Sequence, residues 1–156
     1  MSAAAADGPA PGSMPPALEG IVEDFLAVTE RERLQLLLEF SEGLPAVPAR
    51  FTDHPELLEP VPECQSPVFL VTEVGDDPEA TVHLHFSAPR EAPTTRGFAG
   101  ILHEGLDGLP AAAVLAAPDD ISSRLGLERA VSPLRLRGMA GMLWRIKRQV
   151  RERTGG

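Results

Sequence analysis

Cysteine is almost absent from this chain: among 156 residues there is one, Cys64. A single cysteine excludes an internal disulfide, a CxxC redox pair and a cysteine-rich zinc cage. Glycine-rich phosphate loops, HExxH and GxSxG are missing too, which removes the common motifs for nucleotide binding, zinc peptidases and serine hydrolases. No apolar run approaches the roughly 20 residues needed to cross a bilayer. The chain starts with no positively charged segment leading into a long apolar one, so no secretory signal is read there. One cysteine without an export signal leads us to expect a reducing, cytoplasmic setting.

Basic charge is scarce in the first half. Residues 1–80 carry sixteen acids against three bases, residues 81–156 seven acids against eleven bases, and the total is −9. An acidic chain without a basic stripe interleaved with aromatics argues against nucleic acid as a partner. The two-signed charge fits either a docking surface for another protein or solvated faces that happen to differ. Residues 1–16 are mostly Ala, Gly, Pro and Ser and are expected to form a disordered tail. Residues 17–156 are long enough for one domain with its own core.

Leu18, Ile21, Val22, Phe25 and Leu26 recur at helical spacing after Pro15-Pro16. Thr29 with Glu32 forms a capping-box signature for a second helix, with Leu34, Leu37, Leu38 and Phe40 as its apolar face and Gly43 suited to a left-handed cap. Residues 44–66 hold five prolines and read as a long loop. Residues 68–74 and 81–86 read as strands of an antiparallel hairpin around Gly75-Asp76-Asp77-Pro78. In the second strand Val82, Leu84 and Phe86 share one face, His83 and His85 the other. A hairpin alone is marginal, so a further strand or helices must support it. Phe98, Ile101, Leu102 and Leu106 form a helical stripe ended by Gly108, within which Gly97 and Gly100 mark close packing. Two short helices are expected over 110–116 and 118–125. The last helix opens at Ser132-Pro133 and carries Leu136, Met139, Ala140, Leu143, Lys147 and Val150 on one face. The fold class is α+β, a small antiparallel sheet packed against helices.

Few residues are candidates for chemistry. His54, His83, His85 and His103 are spread out, and two strand histidines without a third ligand are read as surface, so no metal is expected. Cys64 lies in Pro60-Val61-Pro62-Glu63-Cys64-Gln65-Ser66-Pro67, a polar, proline-punctuated setting more typical of a reachable thiol than of a buried filler. Glu63 opposes strong activation, because an adjacent anion raises a thiol pKa. The residues alone leave a reactive thiol and a passive cysteine both open.

Cys64-Gln65-Ser66 before an apolar strand resembles the CQS motif of the SufE family, sulfur acceptors of iron–sulfur cluster assembly. Further matches follow in order. Arg96-Gly97 opens a helix where the family usually has Lys-Gly, and Ser132-Pro133-Leu134-Arg135-Leu136-Arg137-Gly138-Met139 resembles the family's Ser/Thr-Pro segment with its Arg and Gly. Leu44-Pro45 and Arg50 also fit, and the resemblance spans about residues 17–151. The chain departs from the family at three places: Glu63 replaces a Gly, Phe69 a Trp and Glu91 an Asp.

The resemblance implies that Cys64 takes sulfur from the persulfide of a pyridoxal-phosphate cysteine desulfurase of SufS type and passes it to an iron–sulfur scaffold. This chain would bind no cofactor itself. Cys64 would rest against apolar groups, and Gln65, Ser66, Glu91, Arg96 and Arg135 would bind the partner or support the loop. Such a chain would be an accessory sulfurtransferase, monomeric or weakly dimeric, with no membrane or nucleic-acid partner. The alternatives are a non-catalytic adaptor with a passive cysteine and a one-cysteine thiol enzyme such as a peroxidase.

Overall fold

The computed structural model describes residues 8–155, in which seven α-helices surround a three-stranded antiparallel sheet. The architecture is α+β. Helix α1 (Pro16–Leu26) begins at a proline whose missing N–H costs nothing in a first turn, and it buries Leu18, Ile21 and Phe25. Helix α2 (Glu30–Gly43) starts at the capping box read from the sequence: the Thr29 hydroxyl accepts the Glu32 N–H, and the Glu32 carboxylate accepts the Thr29 N–H.

The end and the faces of α2 differ from expectation. Gly43 is its last helical residue and has no positive φ; Leu44 turns extended because Pro45 disfavours helical geometry in the residue before it. Leu37 is buried while Leu34 and Leu38 stay exposed, as does Leu26 of α1. The expected tail lies outside the described residues for 1–7. Residues 8–15 run against a later helix, with the Gly12 N–H donating to the Ala116 carbonyl and Met14 packed on the core.

Residues 44–66, expected as a loop, contain a one-turn helix α3 (Ala49–Thr52), a 3₁₀ turn (Pro55–Leu57), a two-residue strand β1 (Glu59–Pro60) and a second 3₁₀ turn (Pro62–Cys64). Prolines conceal β1 from any periodicity reading, yet it supplies the third strand. It pairs with β2 (Phe69–Val74), placing Glu59 opposite Leu70. Strand β2 pairs with β3 (Val82–Ser87) from Phe69–Ser87 to Val74–Val82. The alternation holds: Val82, Leu84 and Phe86 are buried, and His83 and His85 lie on the opposite face. Strand β1 is too short to pair with all of β2, and the buried Gln149 side chain accepts the Thr72 N–H in its place at 2.7 Å. Asp107 does the same for the Leu84 N–H at the other edge.

Helix α4 (Pro93–Leu106) packs against α1 and α2. A Cβ on Gly97 would stand 2.5 Å from the Leu37 carbonyl oxygen, so the two backbones meet closely, as the sequence indicated. Short helices α5 (Ala111–Ala116) and α6 (Ile121–Arg124) lead to α7 (Pro133–Thr154), capped by the Ser132 hydroxyl. Helix α7 covers β2 and the Pro62–Cys64 turn. It buries Met139, Met142, Leu143, Ile146 and Val150, whereas Ala140, expected on that face, is exposed. Lys147 is buried inside the apolar stripe because its ammonium group donates to the Ala117 carbonyl and to Asp119.

Candidate functional site

Cys64 ends the second 3₁₀ turn. Gln65 follows at φ 61°, a left-handed residue that reverses the chain toward β2. The base of the loop is closed by the Val61 N–H donating to the Val68 carbonyl. Despite its polar neighbours, Cys64 is only 6% exposed. Local composition does not reveal this, because the cover comes from a residue 74 positions away: the thiol points at the backbone of Gly138 on α7 and donates to its carbonyl at 3.6 Å. A Cβ on Gly138 would stand 3.1 Å from Sγ. The glycine therefore provides the space in which the sulfur sits.

Burial pushes the Cys64 thiol pKa up to about 11; the Glu63 charge adds to the rise and Arg145 opposes it. At that value about one thiol in 10⁴ is ionised at pH 7. In its resting position the sulfur is sheltered and weakly nucleophilic.

A cluster of charged side chains surrounds the turn. Arg145 donates through Nη1 to Glu63 at 3.0 Å and to the Gly141 carbonyl at 3.1 Å, and its Nε lies 3.3 Å from Glu59 Oε2. Arg148 and Gln149 also bind Glu59. Burial works against ionisation of Glu63, but bonding to its own N–H and to Arg145 outweighs this and lowers its pKa. Sequence reasoning missed Glu59, Gly141, Arg145, Arg148 and Gln149 as site residues. The one signal of them in the sequence is the run of cations Arg145, Lys147, Arg148, Arg151 and Arg153 late in α7, which does not tell which of them turns toward the Cys64 turn. Beside the turn an open cleft is lined by Glu63, Arg137, Trp144, Lys147 and Arg151. Trp144 is 58% exposed, with the Arg145 and Arg148 guanidinium groups 5.6 and 5.4 Å from its ring.

The other residues singled out from the sequence are dispersed. Gln65 is exposed and Ser66 half-buried beside Cys64. Arg135 is exposed in the first turn of α7, three residues before Gly138. Glu91 is exposed in the turn before α4. Arg96 binds backbone, donating to the carbonyls of Ser41 at 2.9 Å, Ala88 at 2.7 Å and Leu44 at 3.4 Å, and so ties the end of α2 to the segment after β3. Among the described residues no group of three or more His, Cys, Asp or Glu is placed to hold a metal, and no helix is long and apolar enough to cross a membrane.

An α+β domain that covers its one thiol with a glycine of its last helix is built around a single sheltered sulfur. The chain belongs to the SufE family: the family model described as "Fe-S metabolism associated domain" matches residues 19–150. An uncharacterized SufE-like protein of Mycobacterium tuberculosis (strain H37Rv) is 54% identical over 143 residues, covering 92% of this chain and 97% of the relative. SufE-like protein 1, chloroplastic/mitochondrial, of Arabidopsis thaliana is 29% identical over 83% of this chain and 33% of its own length. A Thermus thermophilus protein of known solution structure superposes with a TM-score of 0.80 at 38% identity, covering 92% of this chain and all of that one. Membership in this family gives the chain a role in iron–sulfur metabolism.

Proposed function

We propose that Cys64 is a persulfide carrier, which accepts sulfur from a cysteine desulfurase, accelerates its turnover and relays the sulfur to iron–sulfur cluster assembly. The observation that supports this most directly is the seat of Cys64 under Gly138, which would shield a persulfide from reductants and oxidants. The Cys64 thiolate attacks the outer sulfur of the desulfurase persulfide. A new S–S bond forms on Cys64, the old one breaks, and its electron pair leaves with the desulfurase cysteine as thiolate. No electrons are gained or lost overall, and no cofactor of this chain is needed. The step does require Cys64 to leave its seat, since a thiol with a pKa near 11 is a poor nucleophile there. Arg135, exposed near the loop on α7, is assigned to docking of the desulfurase, which would be of the pyridoxal-phosphate SufS type.

The test is anaerobic incubation with L-cysteine and the host's desulfurase, followed by intact and peptide mass spectrometry with Cys64→Ser as control. One added sulfur on Cys64, with faster cysteine turnover, is expected. No added sulfur and no acceleration with any host desulfurase would reject the carrier role.

A further inference from the structure

The loop that carries Cys64 is held to α7 in an uneven way. Its base is fixed by the Val61–Val68 hydrogen bond, and β1 before it by Glu59 with Arg148 and Gln149. Among the described residues, two hydrogen bonds tie residues 62–67 to α7: the long thiol contact to Gly138 and the pair Glu63–Arg145. The first is weak because a thiol is a poor donor. The second is charge-assisted and joins residues 82 apart.

The two halves of that pair differ in exposure. The Arg145 side chain is 12% exposed, donates to the Gly141 carbonyl of its own helix and has Glu59 as a second carboxylate beside its Nε, whereas the Glu63 carboxylate is 42% exposed. Gly141 makes the pairing possible. A Cβ there would stand 2.9 Å from Glu63 Cδ and 3.2 Å from its Cβ, so the absent side chain is the channel along which Glu63 reaches Arg145.

We propose that Arg145 and Glu63 act as a positioning latch that holds the Cys64 turn shut against α7, and that Cys64 becomes available when this pair breaks. The base of the loop and β1 stay in place, so opening moves only the tip. The inference rests on the reading of Cys64 as the sulfur-bearing residue. It adds a residue not placed at the site from sequence, Arg145, and gives Glu63, at the family's glycine position, a task.

The sign of one substitution separates a latch from a direct effect of charge on the thiol. Arg145 lowers the Cys64 pKa, so removing its charge alone would make the thiolate rarer and slow its alkylation. Unlatching would speed alkylation instead. We would measure the rate of Cys64 alkylation by neutral iodoacetamide across pH 7–10 in the full chain, without any desulfurase. Arg145→Gln is expected to raise the rate about five- to tenfold, the equivalent of one partly buried ion pair. Arg145→Lys should restore most of the wild-type rate. Gly141→Ala changes no charge but displaces the Glu63 carboxylate, and should raise the rate as well; it carries the test should Arg145→Gln fail to fold. Added salt should speed the wild type and leave Arg145→Gln unchanged.

A slower or unchanged rate in Arg145→Gln, or in Gly141→Ala where that variant carries the test, overturns the latch. Because alkylation involves no sulfur transfer, a latch seen in a protein that gains no sulfur from any desulfurase would reject the carrier role alone. Sulfur transfer with unchanged alkylation would reject the latch alone.

Discussion

Cys64 and Gly138 meet across the junction of the 3₁₀ turn and α7, the sulfur donating to the glycine carbonyl in the space a side chain would take. The contact involves Sγ and also the Cys64 Cα, which a Cβ on Gly138 would approach to 3.2 Å. A branched residue there must displace the turn rather than just the thiol. We expect Gly138→Val to destabilise the domain by about 1–3 kcal/mol, the usual cost of overpacking, and to make Cys64 react faster with a neutral thiol reagent. Thermal denaturation and a timed alkylation would show both; a slower reaction would mean that the sulfur is not seated by Gly138.

The raised pKa of Cys64 links stability to alkaline pH. The folded state holds the thiol proton more tightly than the unfolded chain, from 9.0 to about 11. The contribution is therefore complete below about pH 9 and is lost as pH rises through 11. Between these limits the wild type should lose on the order of 1–3 kcal/mol relative to Cys64→Ser. Denaturant titrations of both proteins at pH 8 and pH 10.5 check this. Parallel curves would show that the sulfur is not desolvated in solution.

Arg96 and Arg135 should part company on mutation. Arg96 holds three backbone carbonyls of two separate segments. Its replacement by Ala should cost about 2 kcal/mol or more, since partly buried carbonyls lose a charged donor. Arg135 is exposed, and Arg135→Ala should leave the melting temperature within about 1 °C, in line with a surface change, while weakening desulfurase activation. Unchanged affinity and activation in Arg135→Ala would remove it from the docking surface.

Lys147 offers a further test. Its ammonium group caps the C-terminal end of α5 through the Ala117 carbonyl and pairs with Asp119. Lys147→Ala removes the buried stem and leaves that carbonyl without its donor, for an expected loss of about 2–4 kcal/mol. A melting curve unchanged from wild type would show that water replaces the ammonium group at little cost.

Local signals were legible in the sequence. The capping box of α2, the Ser132-Pro133 start of α7, the alternation of β3 and the close-packed Gly97 depend on neighbours a few residues apart, and each stands where the pattern put it. The resemblance carried by Cys64-Gln65-Ser66 and the later segments led to the right family. What stayed hidden was set by partners far away in sequence. Strand β1 is two residues long and contains a proline, so no alternation marks it; pairing with Phe69 and Leu70 makes it a strand. Composition suggested a reachable thiol at Cys64 and the resemblance a sheltered one; the residue that covers it, Gly138, is 74 positions away and carries no local mark of that role. Lys147 looked like an interruption of an apolar stripe until its acceptors near α5 were seen. Arg145 was one of several late cations, and nothing local tells which of them turns inward to Glu63.

Trp144 stands at the edge of the same cleft as Glu63, half in water, with two guanidinium groups near its ring. It is the one tryptophan of a chain that has no tyrosine. Emission excited at 295 nm therefore comes from this single indole, a few residues along α7 from the glycine that covers the sulfur. The protein carries its own optical reporter: movement of the Cys64 turn or arrival of another protein on this face would change the colour and intensity of one defined fluorophore, with no label attached.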